Sequence, residues 1–345
     1  MAVRSKLILL AAFLGLLAMT ALFYSYFLKN NSGKNIVVAK ALASCREKAA
    51  RAENILCFKR ALENEVARSG MEPFLQAVEE KFLSDTSDFN SPTQCHDVLH
   101  AIGQIGGIYS KNIQETISQC SSTCTFGCFH GVIEGHLMKG LDIVKEIPQI
   151  CQIDEDGSGK LKSACYHGLG HGLASVAGYE LNKSLSFCDL IDEERYKIHC
   201  GSGVIMELYE PGSFGHALLE WPVDIPRFCD TLPHPYSMVC HTTAGLHEYG
   251  RSQDPQGAFR TCQSVPKEFI NECNISIGRN FYYVFNGSAF EIVEACQNNY
   301  KDIFLNCIHG AIMASFAVER SSSHGLEICS LLGEKLETKC WEFLE

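Results

Sequence analysis

The sequence has no cluster of lysine and arginine residues that could follow a nucleic acid backbone. Its formal net charge at pH 7 is −11, and the charges of both signs are spread along the chain. Proteins that bind nucleic acids concentrate positive charge on one face or along one helix. We therefore predict no nucleic acid partner.

Three other signals are missing or nearly so. None of the 18 cysteines forms the C-x-x-C pair that zinc ribbons use. The alternation of apolar and polar residues that marks β-strands is nearly absent. The Gly-Ser sequence at 287–288 does not fit the G-x-S-x-G turn of serine hydrolases. These gaps argue against a zinc ribbon, a sheet protein and a hydrolase of that class, and we assign no catalytic residue.

Residues 7–28 form a run of 22 uncharged and mostly apolar residues, long enough to cross a bilayer as a helix. Arg4 and Lys6 precede the run, which predicts a cytoplasmic N-terminus. The apolar core of a cleaved signal peptide has only about 7–15 residues. We therefore predict an uncleaved signal anchor, with a cleaved signal peptide as the alternative. In both cases the rest of the chain lies in an oxidising compartment: the periplasm, the extracellular space or the secretory lumen.

The cysteines are periodic. Most fall in pairs whose members are 8–14 residues apart, and the second members recur every 33–40 residues from Cys128 to Cys340. That period is typical of repeated helix pairs, which bury their apolar faces by stacking on one another. A disulfide within each pair would join successive helices and contribute roughly 3 kcal/mol in the chain-entropy model.

We predict nine disulfides on this basis. The pairing of Cys95 with Cys124 is left open, because both could exchange partners with Cys120 and Cys128. The predicted pairs are Cys45–Cys57, Cys95–Cys124, Cys120–Cys128, Cys151–Cys165, Cys188–Cys200, Cys229–Cys240, Cys262–Cys273, Cys296–Cys307 and Cys329–Cys340.

Each unit reads as a short helix that ends in a cysteine, a turn, and a second cysteine that opens the next helix. Examples of that opening are CFHGVIEGHL (128–137), CYHGLGHGLAS (165–175) and CIHGAIMASF (307–316). Small residues in the first turns predict close approach of helices. Over roughly 95–345 this layout resembles the Sel1-like and tetratricopeptide solenoids, with C-x-H-G in place of the signatures of those families. The resemblance implies an all-α solenoid and no residue role or activity.

The fold class that we predict is all-α, an αα-solenoid of disulfide-stapled helix pairs behind an N-terminal transmembrane helix. The predicted segments are a cytoplasmic stub at 1–6, the anchor at 7–28, a linker at 29–40, a helical N-terminal region at 41–90 and the cysteine-rich repeat array at 91–345. Asparagines in N-x-S sequences are candidate glycosylation positions: Asn31, Asn182, Asn274 and Asn286.

Histidine and glutamate residues recur four apart, which puts them on one face of a helix. H-x3-H pairs begin at His96 and His167, and an H-x3-E pair begins at His130. We interpret Glu207 and His247 as the second position of the next two units. Packed helices would then bring one column together. The candidate metal ligands are His96, His100, His130, Glu134, His167, His171, Glu207 and His247.

Two functions fit these features. The first is a membrane-anchored binding or scaffold module for a protein, peptide or glycan, the common use of solenoids. The second is a metal-binding protein or metalloenzyme that holds Fe, Zn, Mn or Cu in the histidine and glutamate column. The histidines could instead be core residues that bond to neighbouring carbonyl groups, and a purely structural role for the chain also stays open.

Peptide mapping under non-reducing conditions tests the predicted staples. We expect protein purified with its thiols blocked to yield disulfide-linked peptides for each of the nine pairs, because the compartment is oxidising. A map in which most cysteines are alkylated would contradict the stapled repeat.

Overall fold

The computed structural model describes residues 33–45, 51–84, 92–121, 123–124, 126–140, 142–152, 159–209, 219–297, 301–319 and 323–344. Within these ranges every regular element is a helix. No helix among them is both long and apolar enough to cross a bilayer. The predicted stub at 1–6 and anchor at 7–28 lie outside the described residues.

Long and short helices alternate along most of the chain. The helices are α1 (33–45), α2 (Arg51–Ser69), α3 (Glu72–Ser84), α4 (Pro92–Tyr109), α5 (Ile113–Ile117), α6 (Gly127–Leu137), α7 (Ile143–Ile150), α8 (Lys160–Val176), α9 (Leu181–Cys188), α10 (Glu194–Tyr209), α11 (Ile225–Cys229), α12 (Tyr236–Ser252), α13 (Pro255–Gln263), α14 (Ile270–Val284), α15 (Ala289–Cys296), α16 (Lys301–Glu319), α17 (Ser323–Ser330) and α18 (Glu334–Trp341).

Disulfides join the short helices to the long helices that follow them. Cys188 at the end of α9 bonds to Cys200 in α10, and Cys296 at the end of α15 bonds to Cys307 in α16. The structure joins the cysteines in the same nine pairs that the spacing predicts, including the two pairs around Cys124 that were open to exchange. All cysteines lie in these bonds.

Several helix boundaries differ from the prediction. In α8 and α10 the cysteine does not open the long helix but lies in its second turn: Cys165 follows the start of α8 at Lys160, and Cys200 follows the start of α10 at Glu194. Lysine, leucine, glutamate and arginine before these cysteines are good helix formers, so the helix starts earlier. Helix α1 also occupies 33–40, within the predicted linker, where Val38 is buried.

The long helices pack on one another in chain order. Helix α4 packs on α6, α6 on α8, α8 on α10, α10 on α12, α12 on α14, and α14 on α16. Helix α2 packs on α4 at the N-terminal end. The buried apolar residues therefore form a continuous core along the array, and each unit depends on its neighbours for burial.

Three of these contacts bring helix backbones together at glycine residues. A Cβ atom added at Gly131 of α6 would overlap the main-chain oxygen of His100 in α4. An added Cβ at Gly170 of α8 would overlap the oxygen of Cys200 in α10. Glycines in α14 and α16 make the equivalent contact with one another's helix. The small residues thus have the close-packing role that the sequence predicts.

Substitution of these glycines tests the backbone contacts. We expect Gly131→Ala and Gly170→Ala each to lower the free energy of unfolding by at least about 2 kcal/mol, because main-chain atoms have little room to move. The matched control is Gly250→Ala on the exposed side of α12, where no described atom lies within 4 Å of an added Cβ.

The control should leave stability unchanged or raise it by up to about 1 kcal/mol, since alanine is the better helix former. Thermal unfolding with the disulfides intact, followed by circular dichroism, measures the difference. Equal melting temperatures for wild type and Gly131→Ala would argue against the close helix contact.

Candidate functional site

Histidine and glutamate side chains from four successive long helices meet inside the array. The H-x3-H pairs lie on α4 and α8, the H-x3-E pair lies on α6, and one further glutamate comes from α10. The glycine contacts bring these helix faces close together. We call the following residues the histidine row: His96, His100, His130, Glu134, His167, His171 and Glu207. All of them are buried except His167, which is partly exposed.

The first half of the row joins α4 to α6. His100 Nε2 lies 3.2 Å from Glu134 Oε2. The rings of His96 and His100 stack with their centres 6.1 Å apart, and His96 also meets His130 with ring centres 5.2 Å apart. Nδ1 of His96 donates a hydrogen bond to the main-chain oxygen of Cys124 at 3.0 Å. That bond fixes the orientation of the ring.

The second half of the row joins α6, α8 and α10. The ring centre of His130 lies 5.2 Å from those of both His167 and His171. The rings of His167 and His171 are 4.9 Å apart, and their Nε2 atoms are 3.2 Å apart. Nδ1 of His171 donates to Oε2 of Glu207 at 3.0 Å. His130 is therefore the ring that connects the two halves.

Burial keeps two rings of the row in their neutral form. The pKa of His130 lies well below the usual value of 6.5, first because burial disfavours the charged ring and then because of its histidine neighbours. The pKa of His167 is also well below that value, again mainly through burial. A hydrogen bond from His167 to the main chain of His199 acts in the opposite direction. At neutral pH these two rings offer lone pairs rather than positive charge.

Tyr179 belongs to the surroundings of the row, and sequence reasoning missed it. It lies in the turn after α8, in the left-handed region with φ of 62°. Burial raises the pKa of its phenol, and the carboxylates of Glu207 and Glu134 add to the rise, whereas a hydrogen bond with Ser175 lowers it. The sequence offers no motif at this position.

His247, the eighth candidate, has a different environment. Its ring stacks on the indole of Trp221 with ring centres 3.9 Å apart. Its Nε2 is hydrogen-bonded to Oγ1 of Thr243 at 2.8 Å. Because these contacts are with Trp221 and Thr243 and not with the histidines and glutamates above, we leave His247 outside the histidine row.

The two outer candidates of the predicted column share a register that differs from that of the inner ones. Glu134 and His171 are the sixth residues after the cysteine of their units, whereas Glu207 and His247 are the seventh. One residue rotates a side chain by about 100° around the helix. Both outer residues are offset in the same way, yet Glu207 contacts His171 whereas the ring of His247 stacks on Trp221, so the offset alone does not account for the environment of His247.

The row supplies nitrogen and carboxylate groups but no thiolate. Every cysteine is in a disulfide. Among the described residues, no group of three or more histidine, cysteine, aspartate or glutamate side chains has an arrangement that could hold a metal ion. Any ion held here would be held by imidazole nitrogens with support from Glu134 or Glu207.

The candidate glycosylation positions differ in exposure. Asn182 and Asn286 are exposed, whereas Asn274 is fully buried and its Nδ2 donates to the Ile270 carbonyl. Asn31 lies outside the described residues, and it is the middle residue of the N-N-S sequence, in which Asn30 would be the acceptor. The folded protein has room for glycans at Asn182 and Asn286 and none at Asn274.

Comparison of the chain with protein-family models, with curated proteins and with solved structures gives no match. The resemblance to Sel1-like and tetratricopeptide repeats therefore extends only to repeated helix pairs.

Acid stability tests the neutral state of the buried rings. In an unfolded chain histidine has a pKa of about 6.5. As the pH falls below that value, the unfolded state takes up protons that folded His130 and His167 do not, so the free energy of unfolding decreases. The slope is about 1.4 kcal/mol per pH unit for each ring that stays neutral.

Denaturant unfolding in the presence of a chelator, measured between pH 7.5 and pH 5, would show this slope. The His130→Asn variant should show a shallower pH dependence than wild type, because it lacks one of the two rings. Identical slopes for the two proteins would contradict the neutral assignment of His130.

Proposed function

We propose that this chain is a membrane-tethered solenoid outside the cytoplasm that binds a transition-metal ion through its histidine row. The observation that carries the proposal is the meeting of His130 with His167 and His171 inside the array. Imidazole nitrogens supported by carboxylates are the ligands that zinc, copper and iron use in proteins. Zinc, copper, iron and manganese are therefore the ions to test.

The competing interpretation treats the row as ordinary core histidines. His241 is such a residue: its Nε2 donates to Oδ1 of Asp230 at 3.1 Å and its ring stacks on Phe269. Histidines of the row have such partners too, but there the rings also face other rings, and Nε2 of His171 and Nε2 of His167 lie at hydrogen-bond distance, 3.2 Å. Packing several imidazole rings against one another stabilises the fold little more than apolar packing would, and it removes water from the ring nitrogens. Ligand binding supplies a reason for this arrangement that packing does not.

Duplication of repeat units does not account for the row either. A copied unit repeats its residues at equivalent positions relative to the cysteine. Glu207 is the seventh residue after Cys200, whereas Glu134 is the sixth residue after Cys128. Both glutamates nevertheless contact a histidine of the preceding long helix, at 3.0 Å and 3.2 Å. Glutamates at two different positions of the repeat unit thus make the same kind of contact, which supports selection for the contact itself.

The order of helix contacts and the disulfides support the architecture and the location in this proposal. Each long helix packs on the next one along the chain, as in a solenoid. Nine disulfides suit an oxidising compartment. The apolar run at 7–28, with Arg4 and Lys6 before it, supports a tether with its N-terminus in the cytoplasm.

A role as a binding module for a protein, peptide or glycan is the second proposal. It is favoured by an open pocket of about 270 Å³ at the C-terminal end. The ring of Phe343 lines this pocket and stacks on His309 with ring centres 4.4 Å apart. A supported aromatic ring among polar side chains suits a small polar ligand such as a sugar. The other lining residues are Asn271, Asp302, Leu305, Asn306, Lys339 and Glu342.

Metal analysis tests the first proposal. We expect the full-length chain, purified in mild detergent and stripped with a chelator, to take up one equivalent of zinc, copper, iron or manganese. The His130→Ala/His167→Ala variant should bind at least about 100-fold more weakly, because it lacks two nitrogen ligands. Equilibrium dialysis with elemental analysis gives the stoichiometry and affinity.

The matched control is His241→Ala, which removes an equally buried histidine outside the row and should leave metal binding unchanged. Wild-type protein that binds none of these ions, or a double variant that binds as well as wild type, would overturn the proposal.

A further inference from the structure

We infer that the pocket at the C-terminal end of the array binds one pyranose ring of a glycan that carries no negative charge, with the apolar face of the sugar on the ring of Phe343. The inference rests on the second proposed function, the binding module, and names the ligand class and its contacts. It is separate from the histidine row, because none of the residues of that row lines the pocket.

The pocket lies where three helices meet. Helix α14 packs on α16, and α16 packs on α18. The lining residues come from α14 (Asn271), α16 (Asp302, Leu305 and Asn306), α18 (Lys339) and the turn after α18 (Glu342 and Phe343). The volume of about 270 Å³ is below the range of about 300–1,000 Å³ that drug-sized ligands occupy. A single sugar ring is therefore a ligand of suitable size.

The ring of Phe343 is held in place from behind. The main-chain N–H of Phe343 donates to the Cys340 carbonyl at 3.0 Å, and Cys340 is bonded to Cys329 in α17. The imidazole of His309 stacks on the phenyl ring at 11°, with ring centres 4.4 Å apart. His309 does not line the pocket, so the pocket meets the phenyl ring on a side that the imidazole leaves open.

A fixed aromatic face attracts the C–H groups of a sugar. The face of an aromatic ring carries partial negative charge, and the C–H hydrogens on the apolar side of a pyranose are weakly positive. The imidazole behind the phenyl ring is neutral at pH 7, because burial and then the charge of Arg279 keep the pKa of His309 below its usual value of 6.5. It therefore adds no positive charge to the pocket.

The polar side chains of the pocket have hydrogen-bonding capacity to spare. Nδ2 of Asn306 donates to Oδ1 of Asn271 at 3.0 Å, which leaves Oδ1 of Asn306 and Nδ2 of Asn271 for a ligand. The side chains of Asp302, Lys339 and Glu342 form no hydrogen bond or ion pair within the part of the chain that the structure describes. Neighbouring hydroxyl groups of a sugar thus find both donors and acceptors here.

The charges around the pocket disfavour an anionic ligand. The carboxylates of Asp302 and Glu342 outnumber the one ammonium group, that of Lys339. An acidic sugar or a phosphate group would meet net repulsion from these side chains. A sugar whose polar groups are hydroxyl or amide groups avoids that cost and still uses the same hydrogen-bonding partners.

A peptide fits the pocket less well than a sugar does. A helical peptide needs a groove with a stripe of apolar residues, whereas the apolar lining here is limited to Leu305, which is buried, and Phe343. An extended peptide adds to the edge of a sheet, and all regular elements of the described ranges are helices. One stacking ring among polar groups is the arrangement that orients a small polar ligand.

Saturation-transfer NMR on the full-length chain, in a detergent without a sugar headgroup, tests the stack. The probes are the methyl glycosides of glucose, galactose, mannose and N-acetylglucosamine. We expect at least one of them to bind with a Kd of about 1 mM, since a single ring makes few contacts. Saturation should be strongest at the C–H protons on one face of the sugar. Glucuronic acid should bind at least about 10-fold more weakly.

Variants assign the contacts. Phe343→Ala should weaken binding of the glycoside at least about 10-fold, whereas Phe343→Tyr should retain it, because tyrosine keeps the aromatic face. The matched control is Phe290→Ala, which removes an exposed aromatic ring outside the pocket and should leave binding unchanged. Combined Asp302→Asn and Glu342→Gln substitutions should allow glucuronic acid to bind. Thermal unfolding checks that each variant is folded, and the wild-type spectrum tests the stack without any variant.

The outcomes distinguish this inference from the function on which it rests. Preference of wild type for glucuronic acid, saturation without preference for one face of the sugar, or equal binding by wild type and Phe343→Ala overturns the inference alone. Binding of a peptide from a random library that is lost in Phe343→Ala, with no glycoside bound, does the same, because the pocket then holds a peptide. If neither a glycoside nor a peptide binds, the inference and the binding-module function both fail.

Discussion

Main-chain contact between neighbouring long helices is the constraint on which the rest of this structure depends. At Gly131, Gly170 and Gly203 the facing carbonyl group occupies the space of a Cβ atom. Each helical glycine costs about 1 kcal/mol of helix propensity relative to alanine. Close packing and Cα–H···O contacts offset that cost. Because backbone atoms cannot move aside as side chains do, helices joined in this way hold their flanking residues at fixed positions.

One short sequence in helix α8 contacts several neighbouring helices. Cys165 bonds back to Cys151 at the end of α7. Gly168 faces α6, where an added Cβ would lie 3.0 Å from Cα of His130, and Gly170 faces α10. His167 and His171 lie between these two contacts. The repeated combination of cysteine, histidine and glycine in C-x-H-G thus has a separate physical use for each residue.

Local spacing made much of this fold predictable from the sequence. Two cysteines 11 or 12 residues apart can bond across a single helix–turn–helix connection, so their pairing can be predicted without knowledge of distant contacts. Cys262–Cys273 is such a pair. Histidines four residues apart share a helix face, so the contact between His167 and His130 could also be predicted from the sequence. Both inferences need only helical geometry and a stacked array.

Features that depend on how helices rotate against each other were not predictable. The ring of His247 stacks on Trp221, which lies in a connection with no sequence link to the histidines. Tyr179 lies in a left-handed turn that no sequence motif predicts, and the carboxylates of Glu207 and Glu134 raise the pKa of its phenol. Which nitrogen of His100 or His171 faces a glutamate also depends on tertiary packing.

The same scaffold determines what a bound metal would contribute. Small zinc domains are unfolded without metal, so their binding energy is largely spent on folding. Here disulfides such as Cys151–Cys165 and Cys188–Cys200 bracket the helices that carry the α8 pair and Glu207, and glycine contacts fix their separation. A metal ion bound at the histidine row would therefore not be needed for folding, unlike the ion of a small zinc domain.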